Sequence, residues 1–203
     1  MPDDAFHASR VHAAAVRQRN HGIAVVLPNI PLWVPADARQ QIGHLVVDTV
    51  RLALITAAGY IGDAASGSAD TGHLAASFQA NPATRDGGIE VSGDGITDVN
   101  GRVFSSLPYA IVIDQGRRPG SPISREGIDA IGLWAQRKLG LSAEEADRAK
   151  WPIAISIIQQ GFSGTGYFED GVDAATPPIQ QLFEALSAQI AVKLTSEGGR
   201  QAG

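Results

Sequence analysis

Between residues 35 and 65 the apolar positions recur at helical spacing. Ile42, Leu45, Val46, Val50, Leu54 and Ile61 share one face, and Asp37, Gln41, His44, Asp48 and Arg51 fall elsewhere on the wheel. Pro35 opens this stretch, as suits a first helical turn. The pattern predicts a helix of roughly 30 residues, about 45 Å long at 1.5 Å per residue, with Gly59 and Gly62 as the points where it would bend or end. A turn cluster at 67–72 follows, then a short helical segment with Leu74 and Phe78 four apart. From Asn81 to Ala110 the period drops towards two. Asp86-Gly87-Gly88, Asp94-Gly95 and Asn100-Gly101 read as hairpin turns. Ile89, Val91, Val103, Phe104, Tyr109, Ile111 and Ile113 supply strand-forming side chains, so three or four antiparallel strands are predicted here.

The last third returns to helix. Ser124 caps a run through Ile128, Ile131, Leu133 and Trp134 to about Lys138, stopped by Gly140. Ser142 and Glu145 form a capping-box pattern for a second helix, predicted to break near Trp151-Pro152 and resume with Ile153, Ile157 and Ile158. Residues 161–166 read as a mobile glycine-rich loop. Thr176-Pro177 starts a final helix carrying Ile179, Leu182, Phe183, Leu186, Ile190 and Leu194 on one face, and 196–203 reads as a frayed, flexible tail. The fold class is therefore α+β: an antiparallel sheet of about three to four strands packed against a long N-terminal helix and C-terminal helices.

The first 34 residues have a different texture. They hold three arginines (Arg10, Arg17, Arg19), two aspartates and three histidines, then an apolar run from Ile23 to Val34 interrupted by Pro28 and Pro31. Proline removes a ladder donor, so this run is an edge strand or an extended arm rather than a central strand. It has two possible homes, its own domain or a neighbouring subunit. Leu32 and Trp33 would be the anchors in the second. The organisation predicted is an arm at 1–34, a single α+β domain at 35–195 and a tail at 196–203.

Composition narrows the chemistry. With 203 residues the chain is expected to form one domain able to bury a core. A net charge of −5 argues against a dedicated nucleic-acid binder. The absence of cysteine excludes disulfides, thiolate metal sites and thiol nucleophiles. The acidic N-terminus lacks a signal-peptide pattern, no run of 18 apolar residues predicts a membrane span, and a soluble protein in a reducing compartment is expected. No phosphate-binding P-loop, HExxH zinc motif or GxSxG nucleophile elbow occurs. His44 and Asp48 lie four apart on one helix, but no third ligand is placed by the sequence. No catalytic, metal or cofactor residue is assigned, and an enzyme is not expected.

Two segments stand out for other reasons. One is Asp70 to Phe78, containing Thr71 and Gly72. The other is Tyr109 to Gly120, read as an apolar strand running into Asp114-Gln115-Gly116 and then Arg117-Arg118-Pro119-Gly120. Arginines at the tip of a turn fit either a solvated strand end or a subunit contact, since arginine is enriched at interfaces and pairs bidentately with carboxylates.

At these residues the chain resembles the neck or tail-completion proteins of long-tailed bacteriophages, the head–tail joining family related to minor tail protein Z. The resemblance rests on Thr71-Gly72-His73-Leu74-Ala75-Ala76-Ser77 after a long helix. It rests also on Tyr109-Ala110 leading to Asp114-Gln115-Gly116, an Arg/Pro turn, and a final helix preceded by the aromatics Tyr167-Phe168. The order holds from about residue 37 to 195. Asp114 stands where glutamate is usual, the turn differs, and the 124–161 stretch is longer than the family pattern.

The resemblance implies a structural virion protein assembled as a ring, commonly hexameric, at the head–tail junction. Its neighbours would be the portal, connector or head-closure protein on one side and the tail terminator or tail tube on the other. DNA would pass through the lumen without specific binding, and no membrane or cofactor would be involved. During assembly it would reside in the host cytoplasm. Interface residues expected on this reading are Tyr109, Asp114, Arg117, Arg118, Thr71, Gly72, Leu32 and Trp33. A tail terminator ring and an unrelated soluble α+β enzyme are the alternatives.

Overall fold

The computed structural model describes residues 22–25, 34–67 and 72–201, and for 22–25 and 197–201 the backbone alone. The elements in chain order are β1 (Gly22–Val25), α1 (Ala36–Ser66), α2 (His73–Gln79), β2 (Gly87–Gly93), β3 (Val99–Ser105), α3 (Ala110–Gln115), β4 (Gly116–Arg117), α4 (Arg125–Leu139), α5 (Ala143–Gln160), β5 (Phe162–Ser163) and α6 (Tyr167–Gln201). The protein is α+β. A three-stranded antiparallel sheet of order β1-β3-β2 lies against the helices, and β4 and β5 form a separate two-stranded ladder.

The long helix α1 is the centre of the body. Ile42, Val46, Val50, Leu54 and Ile61, the face marked by its spacing, are each at most 2% exposed. At about 1.5–3 kcal/mol for each fully buried aliphatic side chain, this stripe is a principal driving force for folding. It packs against α6, α2 and the sheet. By length and composition α1 could also cross a membrane; here its apolar face is the core of the body. Neither Gly59 nor Gly62 interrupts it.

Strand β1 pairs with β3 through Gly22–Arg102 to Val25–Val99, so this part of the predicted arm is an edge strand of its own domain. Leu32, Trp33, Pro28 and Pro31 lie outside the described residues, as does Thr71. The β2–β3 hairpin turns at Asp94, whose Oδ1 accepts the N–H groups of Ile96 and Thr97, both at 2.8 Å. These bonds hold the Asp94 carboxyl below its ordinary pKa. Asn100-Gly101 is not a turn. Gly101 sits inside β3, opposite Val91, where a Cβ would lie 2.4 Å from Leu54 Cδ1. Glycine there lets α1 approach the strand, which is the other meaning of a glycine within a strand pattern.

Four further expectations are corrected. Residues 110–115 form a helix, not a strand. Helix α5 runs through Pro152 without breaking, and α6 starts at Tyr167 and contains Pro177 and Pro178 in its interior. Each proline removes a backbone donor but is tolerated where tertiary packing holds both sides. In α6 the buried Tyr167 and Ala175 lie before the prolines, and the buried Phe183 and Leu186 lie after them. The helix continues to Gln201 where a frayed tail was expected from 196.

Candidate functional site

The two motif segments turn out to join distant parts of the chain. Gly72 precedes α2 with φ 70°. Leu74 and Ser77 are buried. The Ser77 hydroxyl donates to Leu74 C=O at 2.7 Å and is hydrogen-bonded to the Ser105 hydroxyl at 2.8 Å, tying α2 to the end of β3. His73 Nε2 lies 3.1 Å from Asp86 Oδ2, ahead of β2.

The second segment is held against residues 158–168. Tyr109 precedes α3 and is part-exposed; burial, then the charge of Asp86, raises its pKa. Ile113 C=O accepts the Thr165 N–H at 3.0 Å, and Asp114 C=O accepts the Gly166 N–H at 2.9 Å. The Asp114 carboxylate accepts the Phe168 N–H at 3.0 Å, satisfying an orphan donor in the first turn of α6. The Tyr167 hydroxyl donates to Ala110 C=O at 3.2 Å, and burial, then the charge of Asp114, raises its pKa. Gly116 ends α3 with φ 78°, and a Cβ there would lie 2.4 Å from Phe162 O. A side chain is excluded on both counts. Gly116 and Arg117 then pair with Ser163 and Phe162. The glycine-rich stretch at 161–166 is therefore pinned, not a mobile loop.

Past this clamp the chain reaches the two arginines. The Arg117 guanidinium donates to the carbonyls of Ser121 and Pro122, while its Nε is buried without an acceptor. Arg118 is exposed, its carbonyl accepts the Ser121 N–H at 3.3 Å, and its guanidinium has no hydrogen bond or ion pair among the described residues. Between them lies an open cleft of about 510 Å³ walled by Gln115, Arg117, Arg118, Gln160, Phe162 and Ser163. Of the interface residues read from the sequence, Tyr109, Asp114, Arg117 and Arg118 fall on one continuous segment, and Gly72 lies on another element. The Asp114 carboxylate is engaged within the chain at α6, and Arg117 braces its own loop. Arg118 has no comparable engagement.

No family model matches this chain, and neither a curated protein nor a solved structure matches it.

A second surface was not anticipated. Helices α4 and α5 pack on each other as an antiparallel hairpin through Ile128, Gly132, Ala135, Ala146 and Ala154, none of which belongs to the main core cluster. Ser124 and the Ser142–Glu145 box cap the two helices as predicted. Lys150 joins them, 2.9 Å from Asp129 and 2.7 Å from Asp147, and these bonds, Asp147 first, raise its pKa. Yet Leu133, Leu139, Trp151 and Ile155 are each at least 50% exposed, and Trp134 is 37% exposed. The clue in the sequence was the doubled pattern of α5. Ile153 and Ile157 lie on the face towards α4, while Trp151 and Ile155 repeat at i, i+4 on another. Among the described residues no three His, Asp or Glu side chains gather as a metal site.

Proposed function

We propose that this protein is a structural subunit of a bacteriophage neck, a tail-completion protein. It assembles with copies of itself into a ring, six-fold by the resemblance, between the portal or connector and the tail. The observation that carries the reading is the α4–α5 hairpin. It stands outside the main core and exposes Leu133, Trp134, Leu139, Trp151 and Ile155. Several large apolar side chains left exposed on one hairpin suit a protein whose fold is completed by neighbours. The resemblance carried by the order of the two motif segments supports a place at the head–tail junction. Both serve as internal joints, and that role suits a subunit that must hold its shape under load. The net charge of −5 suits a lumen through which DNA slides without phosphate contacts.

The test has two parts. Purified full-length protein viewed by negative-stain electron microscopy is expected to show rings with a central channel. Antibody-gold labelling of phage particles that contain the protein is expected to mark the head–tail junction. A protein that stays monomeric at tens of micromolar and leaves particles unlabelled overturns the proposal.

A further inference from the structure

The cleft beside Arg117 and Arg118 has a one-sided chemistry. Its walls carry two guanidinium groups, two glutamine amides and a serine hydroxyl, and no carboxylate. The nearest acid in sequence, Asp114, is committed to the Phe168 N–H. Carbonyl acceptors orient Arg117 without neutralising it, and its Nε is left without an acceptor. The part-exposed ring of Phe162 forms an apolar wall beside the charges. The backbone beneath is fixed by the β4–β5 ladder and by the Gly120 N–H donating to Ile158 C=O at 2.7 Å. The cleft is thus preorganised, so little ordering cost opposes a ligand that enters it.

The chain carries the complementary surface elsewhere. On α6, Asp170, Asp173 and Glu184 are exposed and have no ion partner among the described residues. Spacings of three and eleven residues place them on one face of the helix. Lys193 is the one basic side chain described on α6, and it is bonded to Gln41 on α1 at 2.8 Å.

We propose that the arginine cleft is a socket for carboxylates, and that its occupant is the acidic face of α6 of a second copy, through Asp173 and Glu184. Two different patches on one subunit make a head-to-tail contact, the kind that closes a ring when the rotation fits. The proposal rests on the ring reading above and gives that ring its lateral contact. Arg118 is the residue that reaches the partner, and Arg117 positions the loop that carries it.

Charge reversal on each side tests this in the full-length protein, with assembly followed by size-exclusion chromatography with light scattering and folding by circular dichroism. R118E is chosen because the Arg118 side chain is exposed and braces nothing. It should raise the subunit dissociation constant by about tenfold or more, the scale of a close interfacial charge pair. D173K/E184K should do the same, and R118E/D173K/E184K should recover assembly. If R118E assembles like the native chain, the socket proposal falls while the ring reading stands. If each half-reversal weakens assembly and the combination does not recover it, the two surfaces are not partners and the proposal falls. If the native chain never assembles, the ring reading fails and takes this proposal with it. A fluorescent DNA duplex titrated at low salt covers the remaining source of anionic groups. Binding that R118E abolishes, with assembly unchanged, would assign the cleft to phosphate instead.

Discussion

Leu54 and Gly101 form a knob and its hole, and exchanging their sizes makes a sharp test of the body's packing. Leu54 on α1 is fully buried. A methyl group at position 101 would lie 2.4 Å from its Cδ1 and 3.2 Å from Val50 Cγ1. In the native background G101A must push the Leu54 side chain aside, an overpacking cost of about 1–3 kcal/mol. Removing glycine from a strand returns about 0.5–1 kcal/mol, so the net loss should be about 0–2.5 kcal/mol. L54A alone should cost about 2–5 kcal/mol, because it leaves a cavity between α1 and β3. In the L54A background the clash is gone, and the new methyl enters vacated space, with only the Val50 contact to relax. G101A should then be neutral or stabilising by up to about 1 kcal/mol. The double-mutant cycle should therefore show a favourable coupling of about 1–3 kcal/mol. Urea unfolding of the four proteins, followed by circular dichroism, measures it. If G101A costs the same in both backgrounds, α1 does not seat on β3 through this pair and the packing described here is wrong.

Three other outcomes are expected. D114A should lower stability by about 0.5–2 kcal/mol, the worth of a helix N-terminal cap, or roughly 1–8 °C in Tm by calorimetry. Folding lowers the pKa of Glu145, through hydrogen bonds from the Ser142 hydroxyl and N–H, below its ordinary 4.5. The native state then binds fewer protons, and the contribution of Glu145 is present above that pH and lost as pH falls through the lowered value. E145A should therefore cost more in urea midpoint at pH 7 than at pH 2–3. Tyr167 has the opposite behaviour, since burial raises its phenol above the ordinary 10.0. Its contribution holds below pH 10 and is lost as pH rises above it. Y167F should cost about 1 kcal/mol at neutral pH by losing the bond to Ala110 C=O, and should blunt the alkaline loss in urea titrations.

The parts of the fold that were legible are those decided locally. The stripe from Ile42 to Ile61 announces α1 because one helix face suffices to bury it. Ser124, and Ser142 with Glu145, announce their helix starts because the capping bonds span three residues. The parts that were not legible are decided at a distance. Ile111 to Ile113 has strand-like composition, but its helix is closed by Gly116 and held from the far side by Thr165, Gly166 and Tyr167, some fifty residues on. Gly101 reads as a turn until Leu54 is placed above it. Pro152 reads as a break and Pro177 as a helix start because the packing that outweighs the lost donors lies on other helices. The arginine turn was visible as a candidate. Its cleft was not, because Gln160 and Phe162 enter it from the end of α5 and the segment that follows.

The β4–β5 ladder brings the chain at 116–117 alongside the chain at 162–163, with α4 and α5 as the excursion between. Entry and exit stand one strand spacing apart, so the hairpin has the plumbing of an inserted module. Its removal would leave two ends that a short linker can rejoin, and chain closure depends only weakly on the length of such a loop. The body and the hairpin can then diverge separately. Whatever the tryptophans grip could be exchanged by rewriting some forty residues, without disturbing α1, the sheet or α6.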